Sequence, residues 1–222
     1  MNVKAIITAG GESKRFGKKN KLLEKINSKE IIFHTICPFL KVEEIDEIII
    51  SANVSVISDL ENIFKNEAKV KIIQGGKTRQ ESVFNGLKKI EKCDFVLIHD
   101  GARPMISIEI IKKAIDTVKD KKALTVAAKT IDTIKQVDEN LQIIKTIDRT
   151  FLYNTQTPQA FEFNLIKKAH EKLQGQNFTD DAGMLEFLEE KVYILEGDYK
   201  NIKITANSDI ELAKLYLSNV RN

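Results

Sequence analysis

Val3-Lys4-Ala5-Ile6-Ile7-Thr8-Ala9-Gly10-Gly11-Glu12-Ser13-Lys14-Arg15-Phe16-Gly17 carries an apolar run straight into a loop of glycines and cations. A buried strand that ends in such a loop brings backbone N–H groups and side-chain charge to one place, which is how a polyphosphate is held. The loop is not a P-loop. No glycine stands five residues before Gly17, and Lys19 follows Lys18 where Ser or Thr is required. Nor do Gly10, Gly11 and Gly17 fit the G-x-G-x-x-G dinucleotide fingerprint. The plain alternative is a strand-to-helix turn that uses glycine for geometry alone.

Outward from this stretch, strand and helix patterns alternate through the first 130 or so residues. Strands are expected at Ile45–Ser51, Val70–Gln74, Phe95–Ile98 and Leu124–Ala128. Val56, Ile57, Leu60, Ile63 and Phe64 mark one helical face, Val83, Leu87 and Ile90 a second, and Ile111, Ala114, Ile115 and Val118 a third. Thr78-Arg79-Gln80-Glu81 reads as a capping box, with Glu81 reaching back to the cap. These units imply a largely parallel sheet with helices on both faces. The rhythm then changes. Residues 133–137 and 141–147, with a polar turn at Asp138-Glu139-Asn140, read as a hairpin within an insertion at about 130–152. It is either an arm that pairs with a second subunit or an edge hairpin packed on its own domain. Helices near 164–173 and 181–189, strands at 192–195 and 202–205, and a final helix bearing Ile210, Ala213, Leu217 and Val220 complete a single expected domain.

The 222 residues are enough for a core without disulfides, and 42% hydrophobic with 30% charged residues is the balance of a soluble globular chain. A net charge of +3 gives no nucleic-acid signature. Cys37 and Cys93 are isolated and lack metal-ligand spacing, which points to packing or surface roles in a reducing, cytoplasmic setting. No apolar run approaches a membrane span.

The chemistry gathers where ligands bind in parallel sheets, beyond the carboxyl ends of the strands. The first strand is followed by Gly10–Arg15, the third by Gly75-Gly76-Lys77-Thr78-Arg79, and the fourth by His99-Asp100-Gly101-Ala102-Arg103-Pro104. Each has a plain alternative: a glycine turn, an Asx turn or cap at Asp100, a structural ion pair at Arg103. A carboxylate beside several cations suits phosphate-bound Mg²⁺, which makes Asp100 the candidate ligand. His99 reads as a hydrogen-bonded packing residue rather than a base. Without a Ser-His-Asp or Cys-His arrangement, the expected site positions charges and lets the substrate supply the nucleophile, as phosphoryl-type transfer requires.

Together with Asp132-Thr133-Ile134-Lys135, Asp148-Arg149, Gln156-Thr157-Pro158-Gln159-Ala160-Phe161, Thr179-Asp180-Asp181-Ala182 and Asn201-Ile202-Lys203-Ile204-Thr205, these loops make the chain resemble the 2-C-methyl-D-erythritol 4-phosphate cytidylyltransferases nearly end to end. The resemblance implies a three-layer, Rossmann-like nucleotidyltransferase fold with a projecting β-hairpin. It also implies CMP transfer from CTP to the polyol phosphate, with release of pyrophosphate, in non-mevalonate isoprenoid synthesis. Arg15, Lys21 and Lys203 would be catalytic. Ala9, Gly10, Gly11, Gly76, Arg79, Ser82 and Asp100 would bind CTP, with Asp100 serving Mg²⁺. Gly101, Arg103, Thr133, Arg149, Thr157 and Thr179 would hold the alcohol phosphate, Thr133 and Arg149 from the neighbour's arm in a homodimer.

The chain departs from the family pattern at several points. Gly10 and Ser13 replace an Ala and a Gly of the first loop, Asn20-Lys21-Leu22 stands for Pro-Lys-Gln, Lys77 for an acid, and Gly101 for Ala or Ser. Lys18, Lys19 and Lys25 stand near Lys21 as substitutes, and Gly101 is expected to alter only backbone freedom. The competing readings are a ribitol-5-phosphate cytidylyltransferase, a nucleotide-binding regulator without turnover, and a dehydrogenase. The failed fingerprint weighs against the last.

Overall fold

A computed structural model describes residues 1–11 and 20–218. The opening apolar run forms β1 (Val3–Ala9), and the elements that follow are β2 (Lys25–Ile26), β3 (Lys29–Glu30), α1 (Ile31–Leu40), β4 (Ile45–Ala52), α2 (Ile57–Phe64), β5 (Val70–Gln74), α3 (Arg79–Lys89), β6 (Phe95–Asp100), α4 (Ile108–Lys121) and β7 (Ala123–Lys129). Next come β8 (Ile134–Val137), β9 (Ile143–Ile147), β10 (Tyr153–Glu162), α5 (Phe163–Lys172), α6 (Asp181–Phe187), β11 (Tyr193–Glu196) and α7 (Asn207–Ser218). Short 3-10 turns occupy Lys21–Leu23 and Val54–Val56.

Seven strands form the central sheet in the order β11-β7-β10-β6-β1-β4-β5. The β1–β4, β1–β6, β4–β5 and β7–β11 pairs are parallel, and β10 alone runs against its neighbours. The pleat of β1 divides the core. Ala5 and Ile7 join Ile32, Ile36, Leu60, Ile111, Ile115 and Ala213 on one face, against α1, α2, α4 and α7. Ile6 joins Val83, Leu87, Phe161, Ile166 and Met184 on the other, against α3, α5 and α6. A strand buried on both faces has no reason to alternate. Hence Ile48, Ile49 and Ile50 of β4 are all essentially unexposed. The three-layer α/β expectation holds.

One strand was not expected and two local expectations need correction. Strand β10 does not look like a strand: its middle is Gln156-Thr157-Pro158-Gln159. Its register on β7 shifts between Thr155 and Gln159, so Pro158, preceded by a cis peptide, sits where no ladder bond is asked of it. Conversely, Ile202–Thr205 is not a strand. Its Ile204 N–H reaches Ala102 O at 2.8 Å, but among the described residues no strand runs beside it. In the capping box, Thr78 does accept Glu81 N–H at 3.0 Å, but the Glu81 carboxylate takes the N–H of Lys77 rather than that of Thr78.

The hairpin forms its own two-stranded sheet, β8–β9, between β7 and β10 in the chain. Asp138 Oδ1 closes its turn by accepting the N–H groups of Asn140 and Gln142. Ile134, Val137, Leu141, Ile143, Ile144 and Phe151 are all exposed. This arm therefore stands off the central sheet rather than lying at its edge.

Candidate active site

Parallel register brings the strand ends into line: Thr8 pairs with Asp100, Ala9 with Ala52, and Ala52 with Gln74. The loops that follow therefore meet. At one corner, a Cβ on Gly10 would come within 2.8 Å of Ser82 Oγ, and one on Gly76 would collide with the Cβ of Glu81. Gly76 demands glycine because α3 starts so close to it, whereas at Gly10 an added methyl would press only on the Ser82 hydroxyl. Ser82 Oγ accepts Gly76 N–H at 3.0 Å and donates to Thr78 O at 2.8 Å. Ala9 is buried against this corner's strands and Gly11 is exposed.

The second corner is Asp100, 6% exposed at the end of β6. Oδ1 receives Arg79 Nε at 3.2 Å and Thr8 Oγ1 at 3.5 Å. Oδ2 faces Lys203 Nζ at 2.8 Å and Arg103 Nε at 3.6 Å. Burial pushes the Asp100 pKa up. Arg79, Lys203 and Arg103 together overcome that and hold it well below the usual carboxylate range. Arg103 also donates to Asn201 O at 2.8 Å and Thr155 O at 3.4 Å. Burial lowers its pKa, with Asp100 opposing.

Behind Asp100 lies a buried relay. Thr157 Oγ1 accepts Asp100 N–H at 3.1 Å and stands 2.9 Å from His99 Nδ1. The hydroxyl has one hydrogen, so it donates to Nδ1, and His99 Nε2 donates to Arg103 O at 3.3 Å. Burial pulls the His99 pKa down to about 4. His99 is thus a neutral packing residue, ringed by Phe39 at 5.1 Å. Thr157, expected at the alcohol phosphate, is 4% exposed, and its hydroxyl fixes the backbone of Asp100.

Lys21 donates to Ile204 O at 2.8 Å, which ties it to the segment that carries Lys203. Lys25 is ion-paired with Glu30 at 3.5 Å. Arg15, Lys18 and Lys19 lie outside the described residues. Gly101 does more than free the backbone: its N–H bonds Thr8 O at 3.0 Å, and a Cβ would come within 2.8 Å of that oxygen. Thr133 and Arg149 are exposed on the arm, where Arg149 donates to Ile131 O. Among the described residues neither shares a hydrogen bond or ion pair with the Asp100 cluster. Thr179 is exposed immediately before Asp180, the cap of α6.

A further layer was not assigned from sequence. Arg79 Nη1 meets Asp181 Oδ2 at 2.7 Å, and Gln159 Oε1 accepts the N–H groups of Asp181 and Ala182. Burial disfavours the charged Arg79, but Asp181 and Asp100 raise its pKa well above the ordinary value. Asp180 caps α6, while Asp181, the first residue of the helix, is 1% exposed and turns into the core. Asn201, fully buried, donates to Thr157 O at 2.8 Å and Gln156 Oε1 at 3.2 Å, which anchors the Lys203 segment to β10.

The IspD family model, described as 2-C-methyl-D-erythritol 4-phosphate cytidylyltransferase, matches residues 3–219. A Clostridium beijerinckii protein of that name is 42% identical, over 98% of this chain and 99% of its own. A solved structure of 4-diphosphocytidyl-2C-methyl-D-erythritol synthase from Anaerococcus prevotii superimposes with a TM-score of 0.88 at 34% identity, over 97% of this chain and 96% of that one. The Francisella tularensis 2-C-methyl-D-erythritol 4-phosphate cytidylyltransferase gives 0.83 at 32% identity, over 97% and 99%. A fold, a set of strand-end loops and a full-length match thus agree: the chain belongs to the 2-C-methyl-D-erythritol 4-phosphate cytidylyltransferase family.

Proposed function

We propose that the protein transfers CMP from CTP to 2-C-methyl-D-erythritol 4-phosphate and releases pyrophosphate. The observation that carries this is the meeting of Arg79, Arg103 and Lys203 on the one buried carboxylate of Asp100, beside the glycine corner at Gly10 and Gly76. A phosphate oxygen of the alcohol attacks the α-phosphorus of CTP in line. The new O–P bond forms as the bond to the β-phosphate oxygen breaks, and pyrophosphate leaves with the electron pair. The nucleophile arrives already ionised, so no base is required, and the buried, neutral His99 is consistent with that. Lys203 and Lys21, with Arg15 in the first loop, offset charge that grows on the phosphorus centre. Close backbone approach at Gly10, Gly76 and Ser82 suits a pyrimidine and crowds a purine.

Magnesium fits the donor set in one particular way. Among the described residues no group of three His, Cys, Asp or Glu side chains is able to hold a metal ion. Asp100, kept ionised by its cations, is the single carboxylate that Mg²⁺ takes when phosphates and water supply its other oxygens. Bound there, the ion would neutralise triphosphate charge. The exposed apolar arm favours a homodimer in which Thr133 and Arg149 serve the neighbouring subunit's alcohol-phosphate site.

The test is pyrophosphate release from CTP with methylerythritol phosphate, with ribitol 5-phosphate as the control alcohol. Strong preference for the first supports the assignment. Equal or better use of the second overturns the alcohol, and no release with either overturns the activity.

A further inference from the structure

His170 lies on α5, 1% exposed, with its ring stacked on Phe84 of α3 at 5.9 Å and 12°. Its Nε2 is 2.9 Å from Asp181 Oδ1. A carboxylate bound to an arginine only accepts, so Nε2 donates. The other oxygen of Asp181 takes Arg79 Nη1 at 2.7 Å, and Arg79 Nε reaches Asp100 Oδ1 at 3.2 Å. A single arginine and carboxylate usually close through two parallel N–H bonds. Arg79 does not close on Asp100 that way: Nε alone bonds Asp100, and Nη1 bonds Asp181. The third nitrogen, Nη2, is buried without a hydrogen-bond partner among the described residues. Buried guanidinium N–H groups are rarely left so, and one beside a site for phosphates is a donor waiting for an oxygen.

We propose that His170 is a positioning residue for nucleotide binding. Through Asp181 it fixes the plane of Arg79, so that Nε serves Asp100 while Nη2 is left for an oxygen of the triphosphate. His170 touches neither substrate nor metal. Without its hydrogen bond, the Asp181 carboxylate is free to rotate and to draw Arg79 away from Asp100, and Nη2 loses its aim. The inference rests on the CTP reading above and deepens it. It predicts a selective effect: CTP affinity changes, while the alcohol phosphate and the chemical step do not.

The experiment compares the full chain with His170→Leu and His170→Gln; glutamine returns an N–H donor to the same acceptor. CTP KM, alcohol-phosphate KM, kcat and melting temperature are measured for each. The expected result is a CTP KM raised roughly fivefold in His170→Leu, the scale of one hydrogen bond, with kcat and the second KM within about twofold. His170→Gln returns the CTP KM to within about twofold of wild type. Should the leucine variant not fold, His170→Asn, whose shorter amide falls short of Asp181, replaces it under the same criteria. An unmoved CTP KM with a lowered melting temperature makes His170 a packing residue only and overturns the inference. Equal shifts in the leucine and glutamine variants overturn it as well. A wild-type chain that does not turn over CTP overturns the underlying reading and this one together. Turnover with an unmoved KM sinks only the role of His170.

Discussion

Lys203 reaches Asp100 from a stretch of chain without regular structure, anchored by Ile204 N–H on Ala102 O and by Asn201 on β10. Its side chain is 41% exposed, so one face of the ammonium meets the carboxylate and the other is open to a ligand. Lys203→Ala should lower kcat on the order of a hundredfold, the usual loss for one electrostatic donor at a reacting centre. CTP-dependent pyrophosphate release measures this, and a kcat within a few-fold of wild type would remove Lys203 from the mechanism. Asp181 gives a different test, because its charge is linked to folding. Burial pushes its pKa up, but Arg79 and then His170 bring it below the ordinary 3.8. Between the lowered folded value and the ordinary unfolded one, the unfolded chain binds more protons, so stability falls as pH drops through that window. The contribution is whole above about pH 4 and drains away below it. In urea titrations at about pH 6 and about pH 3, Asp181→Asn should start less stable than wild type and lose less on acidification. A parallel fall in both proteins would mean that Asp181 carries no such linkage.

At the scale of elements, β10 is the informative one. Gln159, fully buried on it, uses its whole side chain: Oε1 accepts from Asp181 and Ala182, and Nε2 donates to Thr125 Oγ1 at 2.9 Å and Asp180 Oδ2 at 2.8 Å. Gln159→Leu strands two backbone N–H groups at the start of α6 and should cost about 2–4 kcal/mol. A lowered urea midpoint at unchanged slope would show it, and a loss under about 0.5 kcal/mol would mean that water satisfies those groups. The same strand shows what the sequence does and does not disclose. Strands β1, β4, β6 and β7 are legible because a strand buried on both faces is largely apolar, and the edge strand β5 through Val70, Ile72 and Ile73. The polar centre of β10 obeys a different demand. It must seat the α6 cap through Gln159, the Asp100 backbone through Thr157 and the Lys203 segment through Gln156, so it carries amides and a hydroxyl where periodicity looks for Val and Ile. Asp100, Arg103 and the glycine corner were legible because their loops follow readable strands. Asp181 and His170 were not: their partners sit 102 and 11 residues away in sequence, and neither spacing is a local pattern.

At the scale of the molecule, the question is which chain each arm serves. Residues Ile134, Val137, Ile143, Ile144 and Phe151 are 37%, 41%, 58%, 59% and 87% exposed, a concentration of apolar surface that an isolated two-stranded sheet does not stabilise. A second copy covering it through a two-fold axis would carry Thr133 and Arg149 across to the neighbour. That arrangement has a signature no single variant gives. On the proposed assignment, Arg149→Ala removes an alcohol-phosphate contact and Lys203→Ala a catalytic cation. If each site draws Lys203 from one chain and Arg149 from the other, a mixed dimer of the two variants holds one intact site. Equal amounts, exchanged until dimers are random, should then recover about a quarter of wild-type turnover from two nearly inactive stocks at limiting alcohol phosphate. CTP affinity in Arg149→Ala should stay near wild type, because the arm is assigned to the alcohol. If mixing recovers nothing although exchange is shown by labelled subunits, each arm serves its own chain. The exposed apolar face would then require another explanation.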